Sequence, residues 1–218
     1  MRVLIRPHST TSEPLTVAPT SVRITSRPLR VLDFDIENRP LSYLGSDYTT
    51  AEITAIAWAW CEAPDDVACY LLGECSPVTM LQAFRAAYDR ADMVTGHFIR
   101  GHDLPMINGA MLEYGLPPLA DKLTQDTKID KVRTKGQSNS QESWAATWEL
   151  EHPKVHMNQK LWRDANRLTP DGLAAARTRV VGDVQQHIEF RRWMLSKGYL
   201  AAPVMWRCGV SSDAVYTP

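Results

Sequence analysis

The sequence predicts an α/β domain with a mixed sheet. Three strand-like segments come first, and helical and strand-like segments then alternate before a long final helix. Successive strands joined by turns favour antiparallel pairing, and the helices that follow indicate an α/β sheet of mixed direction. The length of 218 residues suits one domain, which we place at residues 29–200. Residues 1–28, rich in Ser, Thr and Pro, are predicted to form an extended arm, and residues 201–218 a tail.

Five strands are predicted from β-type apolar runs. The first run ends before Pro40, and the second is apolar on both faces, which is typical of a central strand. The predicted strands are residues 31–36, 52–62, 66–72, 93–96 and a short strand within 119–127.

Four helices are predicted, two of them from their first residues. Ser76 with Pro77, and Thr169 with Pro170, each place an N-cap side chain before a proline in the first turn. The first predicted helix begins at residue 77, and the second and third cover 105–114 and 141–150. The fourth extends from residue 170 to 197.

Composition excludes several classes of protein. The 24 Lys and Arg and 25 Asp and Glu argue against a protein that coats nucleic acid through bulk charge. The charge is uneven, because residues 1–127 hold 10 basic and 16 acidic side chains and residues 128–200 hold 13 and 8. No apolar run approaches the roughly 20 residues that span a membrane. Four cysteines without metal-ligand spacing predict reduced thiols in a cytoplasmic protein.

Two carboxylates stand on the first predicted strand. Asp35 and Glu37 are two residues apart, so both point to one face, opposite Phe34 and Ile36. Neighbouring carboxylates repel each other and favour a cation between them. All-oxygen ligands suit Mg²⁺ or Mn²⁺, and the alternative is a solvated edge-strand face.

Two further carboxylates lie later in the chain. Asp103 stands where a loop enters a helix, so its side chain could bind a metal or cap the helix. Asp183 lies at the buried face of the last helix, next to His187 one turn on. A buried carboxylate requires a partner, which is either a metal ion or Arg179, one turn back.

Together these segments resemble the three motifs of DEDD-type (DnaQ-like) 3′–5′ exonucleases, of phage and bacterial type. That family belongs to the ribonuclease-H-like superfamily, which includes polymerase proofreading domains. The resemblance covers about residues 30–194 and implies three antiparallel strands followed by two parallel ones. The matching segments, in the family's order, are Asp35-Ile36-Glu37, Gly96-His97 with His102-Asp103-Leu104-Pro105, and Asp183-Val184.

The resemblance implies a mechanism and a substrate. Asp35, Glu37, Asp103 and Asp183 would hold two divalent ions, Mg²⁺ or Mn²⁺, that promote in-line hydrolysis and release nucleoside 5′-monophosphates. It implies DNA, more than RNA, as the nucleic-acid partner, and a replication or recombination protein as a further one. The residues expected to contact substrate are Arg179, His102, Lys128, Lys131, Arg133, Lys135 and Lys154.

One position departs from the family. The family has Tyr four residues, or His five residues, before the last Asp, where this chain has Arg179 and Thr178. Arginine stays protonated and cannot act as a general base, although it could bind phosphate or tether a metal-generated hydroxide. Two alternatives stay open: a nucleic-acid-binding module of the same fold that does not cut, and a structure-specific endonuclease.

A pair of tryptophans lies close to the basic loop. Trp144 and Trp148 are four residues apart and share one face of a predicted helix. Core packing is the expected role, and base stacking is the alternative.

Overall fold

The sheet is built around β1, which pairs with a strand on each side. The structure, a computed structural model, describes residues 27–41, 48–152 and 156–209. Most of the predicted N-terminal arm, residues 1–26, lies outside that range. Six strands and five helices occur in the described part of the chain. The strands are β1 Val31–Pro40, β2 Ala51–Trp60, β3 Ala68–Leu71, β4 Met93–Gly96, β5 Lys122–Asp126 and β6 Val204–Trp206. The helices are α1 Pro77–Arg90, α2 Asp103–Glu113, α3 Gln141–Thr147, α4 Gln159–Asn166 and α5 Pro170–Ser196.

The strand order is β3-β2-β1-β4-β5-β6. β1 pairs antiparallel with β2 and β2 with β3, whereas β4 is parallel to both β1 and β5. This confirms a mixed sheet of three antiparallel strands followed by two parallel ones. The prediction of five strands is wrong, because β6 adds antiparallel to β5 from residues assigned to the tail. β6 consists of three apolar residues, and with only three positions it is too short to show the alternating pattern that marks a strand.

Both predicted N-cap and proline pairs are confirmed. The Ser76 hydroxyl accepts a hydrogen bond from the Thr79 amide, and α1 begins at Pro77. The Thr169 hydroxyl accepts from the Gly172 amide, and α5 begins at Pro170. These caps satisfy amide groups that the first helical turn leaves without a partner.

Alternation along β1 and β2 separates two apolar cores. On one face, large side chains such as Phe34 and Trp58 pack against Phe84 of α1. The opposite face carries small side chains on β2 and packs against α4 and α5. This second core includes Ala55, Ala57, Ala59, Ala165, Val180, Val184 and Ile188.

The alanines of β2 decide how close α5 lies to the sheet. Ala55 and Ala57 are fully buried and stand opposite Glu37 and Asp35 in the β1–β2 register. Because their side chains are single methyl groups, α5 can pack close to the strand pair. The second core therefore brings the α5 backbone to the face on which the β1 carboxylates lie.

Among the described residues, no helix combines the length and the apolarity needed to cross a membrane.

Candidate active site

Asp35 and Glu37 lie on the α5 side of β1, as their spacing predicts. A register shift between Glu37 and Asn38 interrupts the β1–β2 ladder directly after the second carboxylate. Bulges of this kind turn a strand locally and occur next to active sites. Both acidic residues are only partly buried, so they are accessible from solvent.

Asp183 completes the cluster from α5. One ligand atom from each of Asp35, Glu37 and Asp183 lies within 4.8 Å of the others. Asp183 is buried, and the Gln141 side-chain amide donates to its main-chain carbonyl at 3.1 Å. The structure therefore brings together three of the four predicted ligands from strand and helix positions far apart in sequence. Oxygen donors at this separation have the chemistry that Mg²⁺ and Mn²⁺ require.

Arg179 contacts two members of this cluster. Its Nε atom donates to Glu37 Oε1 at 2.9 Å, and an Nη atom lies 3.4 Å from Asp183 Oδ2. The guanidinium group also lies over the Trp162 ring, 5.3 Å from its centroid. Arg179 stands where DEDD-type exonucleases have a water-positioning Tyr, and it places a permanent cation among the carboxylates. The ion pair between Asp183 and Arg179, predicted as the alternative to a metal ion, is therefore present.

Asp103 lies at the start of α2, buried behind the end of β1. Burial raises the pKa of its carboxyl to about 7, and the negative charges of Asp126 and Glu37 act in the same direction. Hydrogen bonds from its own amide and from that of Ile36 favour the ionised form. The prediction that Asp103 caps the helix is wrong, because His102 is the N-cap, without a side-chain capping bond, and Asp103 is the first residue of α2. Asp103 is not among the three residues, Asp35, Glu37 and Asp183, whose ligand atoms lie within 4.8 Å of one another.

A buried carboxylate outside the predicted set of site residues holds the loop before α2. The Asp126 carboxylate accepts hydrogen bonds from the amides of Phe98, Arg100, Lys128 and Ile129 at 2.9–3.2 Å. Phe98 has a φ of 73°, which is unusual for a bulky residue and is maintained by these contacts. The available signal was an Asp at the carboxyl end of a parallel strand, where α/β sheets position functional groups.

Another polar chain fastens α5 to the sheet beneath the site. His187 Nδ1 lies 2.5 Å from Asp33 Oδ2, and His187 Nε2 lies 2.8 Å from the Thr127 hydroxyl. The same hydroxyl lies 3.0 Å from His97 Nδ1. Asp33 and His187 are almost completely buried, so this network orients the helix that carries Asp183.

The predicted substrate-contacting residues occupy two places. His102 is exposed at the N-cap of α2, with Nε2 3.2 Å from Asn38 Oδ1 beside the end of β1. A separate surface cleft of about 580 Å³ is lined by basic residues of one loop. These are Lys128, Lys131, Arg133 and Lys135. Lys154 lies outside the described residues.

Comparisons with known proteins bear on the fold. No protein-family model matches the chain, and neither does any curated protein. Among solved structures, the chain is similar to the family B DNA polymerase from the hyperthermophilic archaeon Pyrobaculum calidifontis. The TM-score is 0.57 at 16% sequence identity, over 78% of this chain and 25% of the polymerase chain. Part of a DNA polymerase shares this fold. The chain spans about a quarter of that polymerase's length, and at this identity the likeness concerns the fold alone.

Proposed function

We propose that the chain is a divalent-metal-dependent 3′–5′ exonuclease that acts on single-stranded or frayed DNA. The convergence of Asp35, Glu37 and Asp183 within 4.8 Å carries this proposal. Three carboxylates this close together repel each other, and divalent cations bound among them would relieve that repulsion. The fold shared with a DNA polymerase supports nucleic acid as the substrate class.

The donor set fits two ions of Mg²⁺ or Mn²⁺. Asp35, Glu37 and Asp183 would hold them, and Asp103 would contribute its carboxyl from the start of α2. Divalent ions bound there supply Lewis acidity that activates water and neutralises the leaving 3′-oxygen. Asp126 would keep the loop before α2 rigid, so that Asp103 and His102 hold their positions relative to β1.

Arg179 has a distinct part in the proposal. Because its guanidinium group cannot release a proton at neutral pH, it does not deprotonate water. Its fork of N–H donors suits a phosphate oxygen as well as it suits Glu37. We expect it to leave Glu37 and bind the scissile phosphate when substrate and ions arrive.

A cleavage assay tests the proposal directly. A 5′-labelled single-stranded oligonucleotide with Mg²⁺ or Mn²⁺ should give a ladder of products shortened from the 3′ end. Loss of a residue that only supports a metal ligand commonly lowers activity about 10- to 100-fold. Asp35 and Asp183 would be direct ligands, so Asp35→Ala and Asp183→Ala should each lower the cleavage rate by more than about 100-fold. Asp171→Ala is the matched control, because that residue is an exposed carboxylate on the same helix as Asp183. A wild-type protein that leaves the oligonucleotide intact, or an Asp35→Ala variant that cuts normally, would refute the proposal.

The second candidate is a nucleic-acid-binding module of the same fold that does not cut. The contacts of Arg179 with Glu37 and Asp183 favour it, because they partly neutralise the cluster without any metal. This candidate predicts oligonucleotide binding with no cleavage under any divalent ion. Cleavage of a circular single strand would instead indicate a structure-specific endonuclease, since a circle has no 3′ end.

A further inference from the structure

An aromatic cleft of about 230 Å³ lies at the C-terminal end of α5. Its walls include Trp144, Trp148, Trp193 and Tyr199, with Lys131 at one side. The volume is below the roughly 300–1,000 Å³ typical of sites for drug-sized ligands, so it suits a single planar ring. Trp144 and Trp148 pack against each other, as the predicted core role requires, but both rings are also partly exposed and line a cavity.

The rings in this cleft are arranged in a stack. Trp148 lies on Trp193 with ring centroids 3.5 Å apart and planes 14° from parallel. Tyr199 continues the stack beside Trp193, 6.0 Å away and at 13°. Tyr199 remains 43% exposed, so the stack ends in an accessible aromatic ring. Such a surface offers a further planar group a place to stack.

The aromatic cleft adjoins the basic cleft described above. Lys131, Val132 and Thr134 line both clefts. The Lys131 ammonium lies 5.4 Å from the centroid of the Trp144 ring, so a positive charge stands at the cleft wall. Aromatic rings beside closely spaced Lys and Arg side chains form the combination that binds bases and phosphates of single strands.

The segment that follows the basic loop leads toward the carboxylate cluster. Asn139 lines the basic cleft, and its carbonyl lies 3.0 Å from His97 Nε2, at the loop before α2. Two residues later, Gln141 hydrogen-bonds the main chain of Asp183. Trp193 is ten residues beyond Asp183 on α5, or about 15 Å along the helix.

We propose that the aromatic cleft binds an unpaired base of a single-stranded nucleic acid, while the basic loop holds the adjoining phosphates. The base would lie a few nucleotides before the end held at Asp35, Glu37 and Asp183. This placement rests on the proposed exonuclease function, whereas the binding itself does not. The cleft thereby selects single strands over duplex, because a paired base cannot enter it.

Fluorescence anisotropy with a labelled oligothymidylate of about 12 nucleotides, in EDTA so that no cleavage occurs, tests the binding. Tyr199→Ala should weaken binding by about 5- to 100-fold, the usual effect of removing one stacking ring. Tyr199→Phe should bind within about twofold of wild type, since it keeps the ring. Leu195→Ala is the control, because Leu195 on α5 is also 43% exposed but does not line the cleft.

Two further measurements guard against a folding defect. In the wild type, a base stacked in the cleft should quench tryptophan emission as the oligonucleotide saturates the protein. Arg133→Gln should reduce the slope of log affinity against log salt by about 0.7, the value for one phosphate contact on a single strand.

Several outcomes would overturn the inference. The inference fails if Tyr199→Ala binds the oligonucleotide as tightly as the wild type, or if binding leaves tryptophan emission unquenched. It also fails if the wild type binds duplex as tightly as single strand. A change of oligomeric state in Tyr199→Ala would instead assign the cleft to a second copy of the chain. A wild-type protein that binds but never cuts refutes the exonuclease and leaves the cleft proposal standing. A protein that cuts the oligonucleotide but binds it equally well without the Tyr199 ring supports the exonuclease and refutes the cleft proposal.

Discussion

Arg179→Gln removes the positive charge that lies between Glu37 and Asp183. The three side chains are 14%, 16% and 9% exposed, so the ion pairs are largely but not fully buried. Exposed pairs contribute about 0–1 kcal/mol, and breaking a buried pair costs about 3–5 kcal/mol. We therefore expect the metal-free free energy of unfolding to fall by about 2 kcal/mol, or about 4–8 °C in Tm for a chain of this size.

The same substitution should strengthen divalent-ion binding. At an effective dielectric constant of about 20, a unit charge about 5 Å from a divalent ion contributes repulsion of about 7 kcal/mol. The arginine side chain can swing away, so only part of this repulsion opposes binding in the wild type. We expect the Mn²⁺ Kd to fall at least about tenfold, equivalent to about 1.4 kcal/mol. At 100 times the Kd, bound Mn²⁺ adds about 2.7 kcal/mol and should restore the stability lost on substitution.

Isothermal titration calorimetry with Mn²⁺, and thermal unfolding with and without EDTA, measure both effects. Arg177→Gln is the matched control, because Arg177 is on the same helix but pairs with Glu74 at 41% and 43% exposure. It should cost less than about 1 kcal/mol and leave the Mn²⁺ Kd unchanged. Equal Mn²⁺ affinity in the Arg179→Gln protein and the wild type would refute the expected repulsion. Equal losses of metal-free stability in the two variants would show that the Arg179 pairs are no stronger than an exposed pair.

Two further substitutions test the supports of the site. Gly172→Ala should destabilise the fold by about 1–3 kcal/mol in urea unfolding, because its Cβ would lie 2.2–2.3 Å from backbone atoms of Asp164 and Ala165; unchanged stability would mean that α4 and α5 adjust freely. Asp126→Ala should lower stability by about 1–3 kcal/mol and, if the proposed function holds, reduce cleavage with the metal Kd little changed. Full cleavage by that variant would show that the loop before α2 does not need Asp126.

Much of the fold was predictable because its signals are local. The alternation along β1, the apolar faces of β2 and the two N-cap and proline pairs are properties of neighbouring residues, and all five predicted strands and four predicted helices are present. The two missed elements carry weaker signals. α4 spans eight residues and has an N-cap, Asn158, but no proline follows the cap and Ala165 is its one residue buried in the described structure. β6 has three residues, two of them exposed, and extends the sheet by pairing with β5.

The candidate site was predictable to the extent that it depends on spacing. A two-residue interval places Asp35 and Glu37 on one face, and a four-residue interval places Arg179 beside Asp183. The contact of Arg179 with Glu37 joins residues 142 positions apart, so no local rule could reveal it. It depends on how closely α5 approaches β1, which the small side chains of β2 allow.

That approach also bears on the choice between a nuclease and an inert binding module. Arg179 contributes one positive charge to a cluster of three carboxylates, Asp35, Glu37 and Asp183. Among these four side chains, two negative charges therefore remain when all three acids are ionised. A single guanidinium group compensates these three carboxylates only in part. In the proposed nuclease Arg179 gives way to divalent ions, whereas in the inert binding module it stays paired with Glu37 and Asp183.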